Sequence, residues 1–256
     1  MTQHRLVHRF AVFCFALLAA GCAHTQNLDS GVYDPLESYN RAMFRFNDTV
    51  DKAVLKPVAQ GYKAITPELV DTGISNFFSN LGDVVVLAND LLQFNFRQAA
   101  SDASRIVYNT TFGLGGLIDV ASHMDLPKHE ADFGQTLGRW GVGEGAYLVL
   151  PLLGPSTVRD TFGLAGDYAV HPLADYNPES HRYALGGLNV VDQRADLLRL
   201  ERALGEAIFD PYAQQRDAYL QRRRNLIQGD GPPSILRELE ELEQEEPGED
   251  AGRSGR

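Results

Sequence analysis

Residues 34–54 read DPLESYNRAMFRFNDTVDKAV, and their spacing decides the fold class. Leu36, Tyr39, Met43, Phe46, Val50 and Val54 recur every three or four positions, the period of one helix face. Asp34 is placed to cap this helix, Pro35 to fill its first position and Glu37 to close a capping box. Similar start signals return at Thr66-Pro67-Glu68 and at Asp210-Pro211. A chain written in threes and fours and punctuated this way is mainly α, a single domain of several amphipathic helices over residues 34–229.

Outward from that stretch, Lys56-Pro57 is expected to interrupt the first helix, leaving a short helical piece to Ile65. The helix from Thr66 presents Leu69, Val70, Ile74, Phe77, Phe78 and Leu81, and Gly82 is expected to break it. Residues 83–93 read as a further, broadly apolar helix, with a short strand at Val84–Val86 as the alternative. Residues 97–110 read as a helix with Ala99, Ala103, Ile106 and Val107 on one side, followed by a bend and a short helix within 117–124.

Gly134, Gly138, Gly141, Gly143 and Gly145 are dense enough to argue against a stable helix there. The apolar run after them stops at Pro151 and reads as a hairpin or re-entrant loop, not a strand of a large sheet. Ser156 is expected to cap a helix to about Ala169. Residues 180–208 form one long helix, or two joined at Gly186-Gly187. The last helix follows Asp210 and carries Tyr212, Tyr219, Leu220, Leu226 and Ile227. Several helices are apolar over more than one stripe, which fits either a deep core or helices lying in a membrane interface.

The two ends differ from the middle. Arg5 and Arg9 precede a short apolar run, Phe10 to Gly21, too short for a comfortable membrane span. Leu18-Ala19-Ala20-Gly21-Cys22 is similar to a bacterial lipobox, so residues 1–21 read as a signal peptide cut before an acylated Cys22, palmitate being one such acyl chain. An ordinary signal peptide cut near Ala20 is the alternative, but it leaves the cysteine unexplained. Ala23 follows Cys22; by resemblance to enterobacterial lipoproteins, the lack of Asp there points to the outer membrane. Residues 22–33 read as a lipidated tether, and 230–256 as an acidic, disordered tail.

The 256-residue chain carries a formal charge of −11, and this balance argues against a nucleic-acid partner. Cys14 and Cys22 are its only cysteines, which excludes a disulfide framework or cysteine-ligated zinc in the body. His129-Glu130 lacks the second histidine of a metalloprotease helix, and no serine-hydrolase elbow or phosphate loop is present. No catalytic residue, metal ligand or cofactor site is assigned, and the chain is not read as an enzyme. Acids such as Asp71 and Asp83 are expected on a solvated face. Arg222-Arg223-Arg224 is expected to pair with the chain's own carboxylates rather than with lipid phosphate.

Three blocks then acquire a joint meaning. The first is Asp34 to Arg41 with Met43 to Asn47. The second is Phe133 to Gly138, Trp140 to Gly143, Tyr147 to Pro151 and Ser156 to Asp160. The third is Asp210-Pro211-Tyr212 with Arg216 and Tyr219. Together they closely resemble the MlaA/VacJ lipoprotein family over about residues 30–228. The resemblance implies a ring-like helical structure embedded in the inner leaflet of the outer membrane, anchored through lipid on its periplasmic side. It implies an amphipathic channel through which mislocalised phospholipid leaves the outer leaflet for an MlaC-like periplasmic carrier, and association with trimeric porins. The alternative is a structural lipoprotein that tethers porins without passing lipid.

On that reading Gly141, Gly143 and Gly145 let a loop over 134–159 gate the path. Leu148, Leu150 and Leu152 lie on its apolar side, with Pro151 at the turn and Arg159 near the head group. The opening motif (Asp34, Pro35, Asn40, Arg41, Phe44, Phe46, Asn47) closes the ring, with Tyr39, Phe44 and Phe46 sealing one side.

Overall fold

The computed structural model describes residues 34–204 and 210–228. The expected signal segment, the tether with Cys22 and the acidic tail lie outside the described residues. Eight α-helices and one β-hairpin make up the described part: α1 (Glu37–Val50), α2 (Lys56–Ile65), α3 (Glu68–Leu92), α4 (Phe96–Thr111), α5 (Phe133–Arg139), β1 (Tyr147–Leu150), β2 (Gly154–Thr157), α6 (Val158–Val170), α7 (Glu179–Leu204) and α8 (Pro211–Gln228). A short 3₁₀ turn covers Ala121–Met124.

Several local expectations are corrected. Asp34 does not cap α1, and no capping box forms; Leu36 occupies the cap position without a side-chain bond. The Asp34 carboxylate is instead used by Asn40 and Tyr212. Pro57 does not end the first helix. A π-helical turn over Asp51–Leu55 precedes it, and this wider turn carries the helix into the proline. Gly82 does not break α3, which runs for 25 residues and leaves no strand at Val84–Val86. Packing against α4 and α7 outweighs the roughly 1 kcal/mol helix penalty of one glycine.

Gly134 and Gly138 lie inside helix α5, because larger residues would not fit. A Cβ at Gly134 would meet Asp160 Oδ1 at 2.5 Å, and one at Gly138 would meet Ile227 Cδ1 at 2.8 Å. The cap of α6 is Thr157, which accepts from the Asp160 N–H; Ser156 is one position too early. Helix α7 passes through Gly186-Gly187 as one piece to Leu204. The hairpin is as expected: two antiparallel strands, with Tyr147 opposite Thr157 and Leu150 opposite Gly154.

The elements close on themselves. Helix α1 packs on β1, α2 on α7, α7 on α3, α3 on α5, and α5 on α8, which returns to the hairpin at β2. Among the described residues, buried side chains form two small apolar clusters. One joins Tyr147, Val149, Tyr212 and Leu220, with Phe44 and Met43 against it; the other joins Ala59, Ala195 and Leu198.

Candidate functional site

The polarity of the fold is inverted relative to a water-soluble bundle. Among the described residues, nineteen polar or charged side chains are buried against fourteen apolar ones. Meanwhile Leu69 is 86% exposed, Ile65 82% and Phe94 74%. Burial of polar groups is tolerable only when they satisfy one another.

In α4 the inward face is Ala99, Asp102, Arg105 and Asn109, so the expected Ala103, Ile106 and Val107 face is not the buried one. Arg105 reaches Asp83 at 3.5 Å, donates to both oxygens of Asp119 at 3.2 Å, and donates to the Leu126 carbonyl. Asp71 and Asp83, expected on a solvated face, are both buried; their cations are Lys63 for Asp71, and Arg105 and Lys128 for Asp83. The buried polar residues share helical spacing. Periodicity alone does not say which face points inward, and that was the signal missed.

The three motif blocks meet at one junction. Asn40, fully buried on α1, donates to the Tyr147 carbonyl (3.0 Å) and Asp34 (3.0 Å), and accepts from the Val149 N–H (2.8 Å). Two turns on, Asn47 donates to the Leu150 carbonyl (2.9 Å) and accepts from the Leu152 N–H (2.8 Å). Asn40 thus hydrogen-bonds the free edge of β1 as a neighbouring strand would, and Asn47 ties down the turn that follows β1. Arg41 grips Asp210 through both nitrogens, at 3.2 and 2.8 Å, and lies 4.4 Å over the Tyr212 ring. Phe44 meets Tyr212 edge-on at 5.9 Å. The opening motif therefore ties the hairpin to the last helix. Pro35 sits in the turn before α1, whereas Tyr39 and Phe46 face outward and are exposed.

A second polar knot lies behind the hairpin. Arg223 bridges Asp132 and Asp160, Arg159 Nε donates to Asp160 at 3.0 Å, and the Tyr219 hydroxyl donates to it at 2.9 Å. Burial alone would raise Asp132 and Asp160, but Arg223, with Arg159 at Asp160, holds both below the ordinary carboxylate value. Arg222 pairs with Glu130 and Arg224 lies 3.7 Å from Glu144, so the basic triplet is matched by the chain's own acids. Arg159 is buried in this knot, with its Nη2 lacking a hydrogen-bond partner.

The glycine loop joins the two regions. Gly141 and Gly145 adopt left-handed φ of +91° and +70°, and Gly143 stands in open space. Leu148 and Leu150 are half-buried on the hairpin, and Pro151 and Leu152 are exposed at its tip. Within α3 and α4, Asp90 and Asp102 face each other and are both buried; burial first, then Asp102, pushes Asp90 up to about 7. Among the described residues no group of three or more potential ligands is arranged to hold a metal ion, and no helix is long and apolar enough to cross a membrane.

A closed circuit of helices with a charged interior and many large apolar side chains on its exterior defines a class: a protein built to sit in an apolar surround while keeping a polar inside. The chain belongs to the MlaA lipoprotein family, whose family model matches residues 32–226. It is 36% identical over 219 residues to the intermembrane phospholipid transport system lipoprotein MlaA of Escherichia coli K12, covering 83% of this chain and 85% of that one. The Haemophilus influenzae protein of the same name is 32% identical, covering 88% and 95%. An uncharacterized protein of Rickettsia bellii is 35% identical, covering 77% and 78%. A solved chain from work on the structural basis for maintenance of bacterial outer membrane lipid asymmetry superposes with a TM-score of 0.67 at 35% identity, covering 77% of this chain and all of that one.

Proposed function

We propose that this chain is an outer-membrane lipoprotein that removes mislocalised phospholipid from the outer leaflet and passes it to a periplasmic carrier of the MlaC type. The observation that carries the reading is the inverted polarity, because a phospholipid needs a polar passage for its head within an apolar surround for its tails. Acyl chains on Cys22 set the depth, each buried CH₂ contributing about 0.8 kcal/mol. Irregular backbone at that depth is tolerated where protein or water satisfies it, which suits the loop after α5. Trimeric porins fit as neighbours in the plane of the membrane.

The gate, on this reading, is the stretch around Gly141, Gly143 and Gly145 rather than all of 134–159, since Asn40 and Asn47 hold the hairpin. Leu148, Leu150 and Leu152 form its apolar side, and Arg159 lies near the head group's route. Phe44 seals the α1–α8 junction against Tyr212, while Tyr39 and Phe46 turn toward lipid.

The test is phospholipid exposed on the surface of intact cells, with the gene present, deleted or carrying Cys22→Ser. A rise on deletion, repeated for Cys22→Ser at normal protein level, is expected. An unchanged outer leaflet in both strains would move the assignment to porin tethering without lipid passage.

A further inference from the structure

A cavity of about 430 Å³ lies between α3 and α7, a size in the range of small-molecule sites. Its wall is polar, with Ser75 and Ser79 from α3 and Asn189, Asp192, Gln193 and Asp196 from α7. Lys128 stands at the wall but is committed elsewhere, to Ser79 and, at 3.3 Å, to Asp83. Lys63 is bonded to Asp71 and only approaches Asp196, at 3.6 Å.

Asp192 is the unusual member. It is 2% exposed, and its carboxylate accepts from two neutral hydroxyls, Tyr62 at 3.0 Å and Ser75 at 2.8 Å. Among the described residues no cation pairs with it. A buried carboxylate held only by neutral donors is a costly arrangement that an incoming cation would relieve. Burial, then the neighbouring Asp196 and Asp71, raise its affinity for a proton accordingly. The same cavity offers neutral N–H donors. His171 accepts the Leu173 N–H at Nδ1 (3.1 Å), so its neutral ring carries the proton on Nε2, and burial favours that neutral form. The amides of Asn189 and Gln193 add further donors.

We infer that this cavity receives the head group of an aminophospholipid, its primary ammonium against Asp192 and Asp196 and its phosphate against His171, Asn189 and Gln193. The inference rests on the transport reading above and adds a head-group preference to it. A phosphoglycerol head brings an anion and no cation, so it leaves Asp192 without a counter-charge and meets two carboxylates.

The experiment titrates the purified full chain in detergent micelles with dihexanoyl phosphatidylethanolamine and dihexanoyl phosphatidylglycerol by calorimetry. The ethanolamine lipid is expected to bind about tenfold more tightly, the size of one charge-assisted hydrogen bond. The Asp192→Asn, Asp196→Asn pair is expected to bring the two lipids to parity. Asparagine can still bond the Tyr62 and Ser75 hydroxyls, and circular dichroism checks the fold. Asp196→Asn alone, at a half-exposed position, is expected to lose part of the preference.

Equal affinities for the wild-type chain, or an unchanged ratio in the double variant, would overturn the head-group assignment while lipid binding, and the transport reading with it, stands. Failure of both lipids to bind would overturn the head-group assignment, and the surface-phospholipid test above would still decide the transport reading. Free ethanolamine binding as tightly as the lipid would make a soluble amine the ligand and would also overturn the inference.

Discussion

At the scale of single residues, the family motif is held together by hydrogen bonds. Asn40 saturates one carbonyl, one carboxylate oxygen and one N–H with a single buried amide. Asn40→Ala leaves the Tyr147 carbonyl and the Val149 N–H without that partner, a loss of about 3 kcal/mol at typical desolvation costs. Asn40→Asp is expected to be as damaging or worse, since it removes the donor and adds a carboxylate beside Asp34. Thermal unfolding in detergent measures both, and a change within about 0.5 kcal/mol for either would remove Asn40 from this role. The Asp90–Asp102 pair gives a pH dependence of known sign. Asp90 is raised to about 7, so its contribution is fully present below the ordinary carboxylate value and is lost as pH rises from there to about 7, where this buried carboxyl must ionise beside Asp102. Asp90→Asn should therefore melt closest to the wild type at pH 4 and increasingly above it up to pH 8. Identical melting shifts at the two pH values would show that Asp90 does not carry this pH dependence.

At the scale of elements, the glycine loop separates conformational need from freedom. Gly145 is left-handed, and a Cβ there would meet Val158 Cβ at 2.9 Å; Gly143 has neither constraint. Gly145→Ala is expected to cost about 1–3 kcal/mol, whereas Gly143→Ala changes stability little. Chemical denaturation of the two variants in parallel tests this, and equal losses would show that the loop is not built as described. On the proposed function, Gly143→Pro is expected to block lipid removal at an unchanged protein level, which tests the gate. Helix existence was legible in the sequence from period and start signals, and so was the hairpin from its Pro151 stop. Helix limits were less so. Gly82 and Pro57 carry local breaking tendencies of a size that packing and one π turn overrule. Asp34 looked like a cap because its partners, Asn40 and Tyr212, lie 6 and 178 residues away, and the second has no local signature.

At the scale of the whole molecule, the sequence shows two-faced helices but not which face is inside, because that depends on whether the solvent is water or lipid. Three turns supply independent support for lipid. Phe94, Leu114 and Leu152 all take left-handed backbone, with φ of 58°, 55° and 63°. They are also 74%, 70% and 65% exposed. A bulky residue in that conformation costs about 1–2 kcal/mol, and glycine would relieve it. Burial in the molecule does not offset this cost, so a bilayer surface is the natural place for the side chains to be compensated. Replacing all three with glycine is therefore expected to shift two measurements differently. Stability in detergent should stay level or rise by about 1 kcal/mol per site, relief of strain being partly offset by the freer unfolded chain. Flotation with phospholipid vesicles, using the Cys22→Ser form to remove the proposed acylation site, should fall by at least about tenfold, since each lost side chain forfeits roughly 1.5–3 kcal/mol of burial. Undiminished flotation would show that these turns do not enter the membrane, and the inverted polarity would then need a protein partner to cover it.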